Sequence, residues 1–273
     1  VSNIHVLHAE SGLVHAEVVR SERVTPNMQR VTLGGDDLRR FEYRGFDQWF
    51  RLALPVQDST RFDNLPSKFG IGGYLKYLTL PKGTRPVIRN YTVRQYRADP
   101  VELDIDFVVH AGETDDGHAV GVAAPWALAA KPGDAVAFID QGCGYAPVAA
   151  DWTLLVGDES ALPAVAGVLR DLPRDARGHA IIELFDERDR QDVEAPEGVE
   201  VHWVLRSPTD APGTAALPKL AALEFPEGSV YAFAVGESAV ATGARRHLVN
   251  ERGVPKSNVT FSGYWKRGKA SPS

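Results

Sequence analysis

The chain has 273 residues, 44% of them hydrophobic and 24% charged, a balance that supports a packed core and excludes a disordered chain. Its formal charge of −6 argues against a nucleic-acid binder, whose phosphate contacts need a basic face. Cys143 is the only cysteine, which excludes an intrachain disulfide and any cysteine-built zinc or iron–sulfur centre, so redox chemistry here requires a bound cofactor.

The opening VSNIHVLHAESG has no basic region followed by an apolar core, and no stretch approaches ~18 consecutive apolar residues, so a cytoplasmic protein without integral membrane association is expected. From residue 13 to about residue 138 the apolar runs are short and often alternate, as in LVHAEVV, QRVTL, WFRLALP, PVIRNYTVRQY and VELDIDFVVH. Such runs predict antiparallel strands. Residues 57–83, containing SKFGIGGYLKYL, read as a long loop or insertion, and AVGVAAPWALAAKPGD predicts one short helix closed by Pro132 and Gly133.

The pattern changes at Asp151. WTLLVG is a continuous apolar run, followed by the helical spacing of ALPAVAGVLRDLP, then HAIIELFD, VEVHWVLR, an alanine-rich helix near residues 214–223, SVYAFAVG, the helix SAVATGARRHLVNERG and finally VTFSGYW. Strands alternating with helices predict a mostly parallel sheet. The fold class expected is therefore an antiparallel β-barrel domain over residues 1–150 followed by an α/β domain over residues 151–273 with a short C-terminal tail.

Four segments carry chemistry. In RNYTVR, alternation sends Arg89, Tyr91 and Val93 to one face and Asn90, Thr92 and Arg94 to the other. A flavin dinucleotide needs these parts: a guanidinium for the pyrophosphate, an aromatic for the ring system, and a hydroxyl or amide for the polar ring edge. An edge strand with solvated arginines accounts for the same spacing. DIDFVVHAGETDDGHAVGVAAPWA offers a strand ending in His110 and a helix opened by small residues, whose N–H groups can reach an anion. LLVGDESALPAVAGVL is a strand, a turn and a helix with Pro163 in its first turn; Gly157, Asp158, Glu159 and Ser160 sit where an α/β sheet receives a ligand. The G-x-G-x-x-G pattern is missing and two carboxylates would repel phosphate, which leaves ribose or nicotinamide as what Ser160 and the following amides can contact. SGYWKRGKA ends the α/β half with two aromatics followed by Lys266, Arg267 and Lys269, able to shield a ring and to hold an anionic ligand.

In this order RNYTVR, DIDFVVH, GDESALPA, GESAVATGARRHL with its following ERG, and GYWKRG resemble the motifs of the siderophore-interacting proteins over residues 17–268. These are FAD-dependent ferric-siderophore reductases on the ferredoxin-reductase plan. The resemblance implies a six-stranded antiparallel FAD barrel followed by an NAD(P)H-type α/β domain. Carried over by position, Arg89, Tyr91, Thr92 and Val93 would hold the pyrophosphate and isoalloxazine; Asp106, Phe107, Val108 and His110 would line the adenosine side; Ala123 and Ala124 would complete the phosphate site; and Tyr264 and Trp265 would lie near the ring. Arg51, where the family commonly has lysine, together with Lys266 and Arg267, would attract the ferric siderophore. The family's GPASRWA appears here as GVAAPWA: Ala124 replaces a serine and Pro125 an arginine. A less cationic pocket follows, favouring hydroxamate or mixed siderophores over triscatecholates.

No acid–base residue is required, because the flavin transfers the electrons, and the iron is bound only through its siderophore. As donor, NAD(P)H is expected, with a ferredoxin as alternative. Asp186 and Glu187 suit an unphosphorylated ribose, whereas Arg188 and Arg190 suit a 2′-phosphate, and NADPH is preferred. Two other functions stay open: a general flavin or ferredoxin-type reductase, and a siderophore-binding carrier without efficient reductase activity.

Overall fold

The structure is a computed structural model that describes residues 2–6, 11–57, 60–68, 70–109 and 121–269. It divides into two compact units, one of Val6–Arg44 and Gln48–Cys143, the other of Val1–His5, Gly45–Asp47 and Gly144–Ala270. The unit boundary thus falls near residue 144, ahead of the expected 150, and two short stretches of the N-terminal half belong with the second unit.

The first unit contains β1 (Leu13–Thr25), β2 (Met28–Gly34), β3 (Trp49–Leu54), β4 (Val87–Thr92), β5 (Gln95–Ala98), β6 (Val101–Val108) and β7 (Ala135–Asp140), each antiparallel to its neighbours, in the order β4-β3-β7-β1-β2-β6-β5. Only Val93 and Arg94 separate the two edge strands, so β4 and β5 are halves of one segment. The Val93 N–H donates to the Gln48 carbonyl beside β3 (2.8 Å), and the Arg94 N–H donates to the Asp104 carbonyl of β6 (2.9 Å). One continuous piece of chain therefore covers both edges and closes the barrel. Counting the halves separately turns the implied six strands into seven.

Alternation in β6 fills the barrel with Leu103, Ile105 and Phe107, all fully buried, and sends Glu102, Asp104 and Asp106 to the other face. There Arg20 of β1 meets Glu102 (2.9 Å), Arg30 of β2 meets Asp106 (2.7 Å), and Arg97 of β5 meets both Glu102 (2.8 Å) and Asp104 (2.7 Å). The Thr32 hydroxyl also donates to Asp104 (2.7 Å). Burial works to raise the Asp104 carboxyl pKa, but the donors from Arg97 and Thr32 outweigh it and the net direction is downward.

Residues 57–83, expected as loop, contain the helix α1 (Ile71–Thr79). Tyr77 is buried and its hydroxyl donates to the Pro86 carbonyl (2.9 Å), while Tyr74, Leu75 and Leu78 stay exposed. Gly72 and Gly73 hide the helix from propensity reasoning, yet Gly73 is required: a Cβ there would stand 2.0 Å from the Lys68 carbonyl oxygen. The short helix expected before Pro132 is α2 (Ala123–Ala129).

The second unit is a five-stranded, all-parallel sheet of β8 (Trp152–Gly157), β9 (Arg177–Leu184), β10 (Gly198–Leu205), β11 (Val230–Glu237) and β12 (Val259–Trp265), ordered β10-β9-β8-β11-β12. The helices α3 (Leu162–Asp171), α4 (Ala216–Ala222) and α5 (Ser238–Arg246) connect these strands. β8 and β11 read as continuous apolar runs because burial on both faces removes the need for alternation; all eight residues of β11 are buried. Asp47 accepts from the N–H groups of Gly144 (3.0 Å) and Tyr145 (2.8 Å), and Gly167 of α3 leaves room for residues 45–47, since a Cβ there would stand 2.0 Å from the Phe46 carbonyl oxygen. No helix among the described residues is long and apolar enough to cross a membrane.

Asp104→Ala strands the Arg97 guanidinium and the Thr32 hydroxyl, and is expected to lower barrel stability by about 2–3 kcal/mol in urea unfolding. Because the folded-state pKa of Asp104 lies below its unfolded value, its contribution is present above pH ~4 and is lost as pH falls through the lowered value. The variant should therefore lose stability less steeply on acidification than the parent; identical acid profiles would count against the ion-pair ladder.

Candidate functional site

At the carboxyl edge of the parallel sheet, the ends of β8, β11 and β12 bring Gly157, Asp158, Ser160, Glu237 and Trp265 together. Asp158 is fully buried and caps the 3-10 turn that leads into α3. Its Oδ1 accepts from the Ser160 N–H (2.9 Å) and hydroxyl (2.5 Å), and its Oδ2 accepts from the Glu237 N–H (2.6 Å). Burial, with the Glu159 charge beside it, pushes the Asp158 carboxyl pKa up, and the three donors oppose this. The Trp265 indole N–H donates to the Ser160 Oγ (3.1 Å). Tyr264 occupies a bulge, since Gly263 pairs with Gly236 but Trp265 pairs with Glu237. Burial raises its phenol pKa, and the charges of Asp47 and Asp158 add to that.

Glu159, expected on the nicotinamide side, is buried and faces inward: its two oxygens accept from the Arg206 guanidinium at 2.7 Å each. Arg206 also approaches Glu183 (3.5 Å), whose carboxylate accepts from the N–H groups of Gly213 (2.7 Å), Ala215 (2.8 Å) and Ala216 (2.7 Å) at the start of α4. The Glu159 carboxylate is thus committed to the fold, and Asp158 already holds the amides that a phosphate would take at this turn. The Ser160 hydroxyl donates to Asp158 and accepts from the Trp265 indole, so what it still offers a ligand is acceptor capacity on its oxygen, which suits the hydroxyls of a ribose or the NH2 of a carboxamide. Glu237, to which sequence reasoning gave no role, caps α5 through the Ala239 N–H and accepts from the Arg267 N–H (3.1 Å). Its signal was the acidic residue immediately before a helical run.

In the barrel, β4 carries Arg89, Tyr91 and Thr92 up to the switch. The Tyr91 ring packs on Phe107 at 4.3 Å between centroids, and Phe107 on Trp126 at 5.7 Å. Burial raises the Tyr91 phenol pKa, opposed by the Arg89 charge. The Arg89 guanidinium is half-buried, donates to the Ile88 carbonyl (2.7 Å) and has no carboxylate partner among the described residues. The simple alternation fails at Thr92 and Val93, which are both buried because the strand changes partners there. Val93 lies in the core and leaves only its backbone for a ligand.

Two of the expected adenosine-side residues, Asp106 and Phe107, have little side chain to offer. Asp106 is held bidentately by Arg30 (2.7 and 2.9 Å) with Arg94 at 3.5 Å, and Phe107 is fully buried. His110 lies outside the described residues. Val108 is half-buried. Ala123, buried, and Ala124, half-buried, do begin α2, whose Ncap Val122 makes no side-chain cap. Arg51 stands opposite Asn90 in the β3–β4 register, which sets it on the face opposite Arg89 and Tyr91; burial lowers its pKa. Lys266 and Arg267 are exposed in the turn after β12, where the Arg267 guanidinium donates to the Thr209 carbonyl (3.0 Å). Asp186 and Arg188 form an ion pair (2.5 Å), as do Glu187 and Arg190 (3.5 Å).

Asp158→Ala leaves the Ser160 and Glu237 amides without an acceptor and is expected to cost about 3 kcal/mol in urea unfolding of the α/β unit. A loss under ~1 kcal/mol would contradict the capping role.

Comparison with known proteins gives a consistent picture. Residues 17–143 match the family profile of the siderophore-interacting FAD-binding domain, and residues 150–268 match that of the siderophore-interacting protein. The chain is 36% identical to the ferric vibriobactin reductase of Vibrio cholerae, over 93% of this chain and 89% of that protein. It is 31% identical to the NADPH-dependent ferric-chelate reductase of Escherichia coli, over 91% of each. The crystal structure of a siderophore utilization protein from T. fusca superposes with a TM-score of 0.76 at 33% identity, covering 100% of this chain and 99% of that one.

Proposed function

This chain belongs to the siderophore-interacting protein family, and we infer from that membership that it is an FAD-dependent reductase of ferric siderophores, with NAD(P)H as electron source, acting in iron acquisition. The observation that carries the reading is the FAD-binding-domain match over residues 17–143, joined to relatives named as ferric reductases at 31% and 36% identity over most of their length.

The residues of the barrel fit a flavin dinucleotide. A half-buried Arg89 without a carboxylate partner among the described residues offers paired N–H donors to a pyrophosphate. Tyr91 offers an aromatic face, and Thr92 offers a hydroxyl to a ring edge, beside the Val93 carbonyl, since the Val93 N–H is held by Gln48. The α2 start at Ala123 and Ala124 adds backbone N–H groups without the hydroxyl a serine would bring. When bound, FAD supplies the conversion of a two-electron hydride donor into single-electron delivery to iron. In the α/β unit, Ser160 receives a ribose or carboxamide beside Trp265, and Tyr264 and Trp265 supply aromatic surface to a ring. Arg51 on the barrel unit, and separately Lys266 and Arg267 on the α/β unit, supply positive charge that attracts an anionic ferric chelate. Once reduced, the softer and less charged Fe(II) is held less well by the hard oxygen ligands of the siderophore and is released.

The finer reading names NADPH as donor: Arg188 and Arg190 would exchange their present carboxylate partners for a 2′-phosphate, in keeping with the NADPH dependence in the name of the Escherichia coli relative. It places the reaction in the cytoplasm, where that nucleotide is supplied, and keeps a ferredoxin as the alternative donor. It favours hydroxamate or mixed siderophores, because Pro125 contributes no charge where the family has an arginine; equal or tighter binding of a ferric triscatecholate would overturn that preference.

Arg89→Ala is expected to weaken FAD binding at least tenfold in equilibrium dialysis while near-UV circular dichroism stays unchanged, with Arg89→Lys intermediate; full FAD retention would refute the anchoring role. For the activity, protein reduced anaerobically with NADPH and mixed with ferric hydroxamate should regain its oxidised flavin spectrum as ferrous iron is trapped by a chelator. Absence of reoxidation with every ferric siderophore class would favour the carrier function instead.

A further inference from the structure

Strands β9 and β10 carry a side-chain cluster for which the reductase reaction has no use. These strands run in parallel register with His179 opposite Glu200 and Ile181 opposite His202, and the period of two puts His179, Glu200 and His202 on one face of the sheet. His179 Nδ1 lies 3.1 Å from His202 Nε2 and 3.6 Å from Glu200 Oε2, and His202 Nδ1 lies 3.4 Å from Glu200 Oε1. One nitrogen or oxygen from each of the three lies within 4.8 Å of the other two. The imidazoles are mostly covered, at 14% and 10% side-chain exposure, whereas Glu200 is 67% exposed. β10 is an edge strand, and the cluster adjoins a surface pocket lined by Trp152, Arg177, Gly198 and Pro226.

We propose that His179, His202 and Glu200 form a binding site for one divalent first-row transition ion, of the zinc or ferrous type. Two imidazoles and one carboxylate suit such borderline ions and leave coordination positions for water, whereas magnesium prefers an all-oxygen shell. The ring centroids stand 5.3 Å apart with the facing nitrogens 3.1 Å apart, so the nitrogens point at one another and share a proton. Two nitrogens bound to one ion at about 2.0–2.1 Å keep a separation of about 3 Å, and each ring needs to swing by roughly 40° to aim its lone pair at the ion. The ion takes the place of the shared proton, which moves to the other nitrogen of the donor ring, so that both rings bind as neutral imidazoles. Burial lowers both imidazole pKa values, the Lys219 charge adds to this and the Glu200 charge opposes it, so neutral rings are present at pH 7. Lys219 is the cation that acts on both imidazoles, with Arg177 lining the adjoining pocket, and the Lys219 charge holds the affinity below that of a closed structural site.

The test is isothermal titration of untagged, metal-stripped, flavin-loaded protein with zinc chloride at pH 7.5. One ion per chain is expected, with a dissociation constant in the micromolar range and no response to magnesium. The double variant His179→Ala/His202→Ala should lose at least thirtyfold in affinity with its flavin spectrum intact. Glu200→Gln changes only an exposed side chain, so the fold is not at risk, and it should weaken binding about tenfold; Lys219→Met should tighten it severalfold. Binding should fall as pH drops from 7.5 to 5.5. No zinc bound by the parent, or binding unchanged in both the double variant and Glu200→Gln, would overturn the proposal and leave the pair as a hydrogen bond alone.

Discussion

Two adjacent N–H groups point to different strands, that of Val93 to the Gln48 carbonyl and that of Arg94 to the Asp104 carbonyl, and the closure of the barrel depends on them. Upstream of this switch the segment is the partner of β3; downstream it is the partner of β6. The residues proposed to hold the flavin, Arg89 to Val93, are therefore the residues that remove the open edges of the sheet. Their backbone is fixed by the β3 ladder and by the two hydrogen bonds at the switch that ends it, which is the condition under which a binding side chain keeps its geometry. The burial of Thr92 and Val93 in succession is a direct result of changing partners within one peptide.

The carboxyl edge of the parallel sheet is built on the opposite electrostatic principle. Asp158, Glu159 and Glu237 are buried carboxylates, and each is satisfied by the protein itself, through the amides of Ser160, Glu237 and Ala239 and through the Arg206 guanidinium. In a glycine-rich dinucleotide turn the backbone amides are left for a phosphate. Here they are closed off, and the negative charge beside them discourages a phosphate further. The barrel segment presents a cation without a carboxylate partner among the described residues, whereas the sheet edge presents neutral groups backed by carboxylates. Under the proposed function, that contrast is what separates the phosphate-holding segment from the edge that receives a ribose or carboxamide.

Local pattern carried much of this in the sequence. Alternation in VELDIDFVVH marked β6 and its two faces, the continuous runs WTLLVG and VYAFAV marked strands buried on both sides, and the turn after WTLLVG lies where a parallel sheet receives ligands. What remained hidden was the identity of distant partners. Glu159 reads as a ligand contact until Arg206, 47 residues away, is found on it, and Asp106 until Arg30, 76 residues away, takes both its oxygens. Helix α1 escaped notice because two glycines outweigh its propensity, while the packing of Tyr77 that forms it comes from elsewhere in the barrel. These are tertiary facts, and periodicity holds no record of them.

Gly73 and Gly167 each face a backbone carbonyl so closely that a methyl group would stand 2.0 Å from its oxygen. Neither residue is among the proposed ligand contacts, and a carbonyl in a packed backbone cannot rotate away as a side-chain tip can. On steric grounds they are expected to act as fixed points under mutation. Neighbouring positions can drift with compensating repacking, but these two admit no intermediate, since even alanine, the smallest step, collides. A library of random variants of this chain would lose members at Gly73 and Gly167 as consistently as at any cofactor contact, and tolerance to mutation is therefore a poor guide to where the chemistry lies.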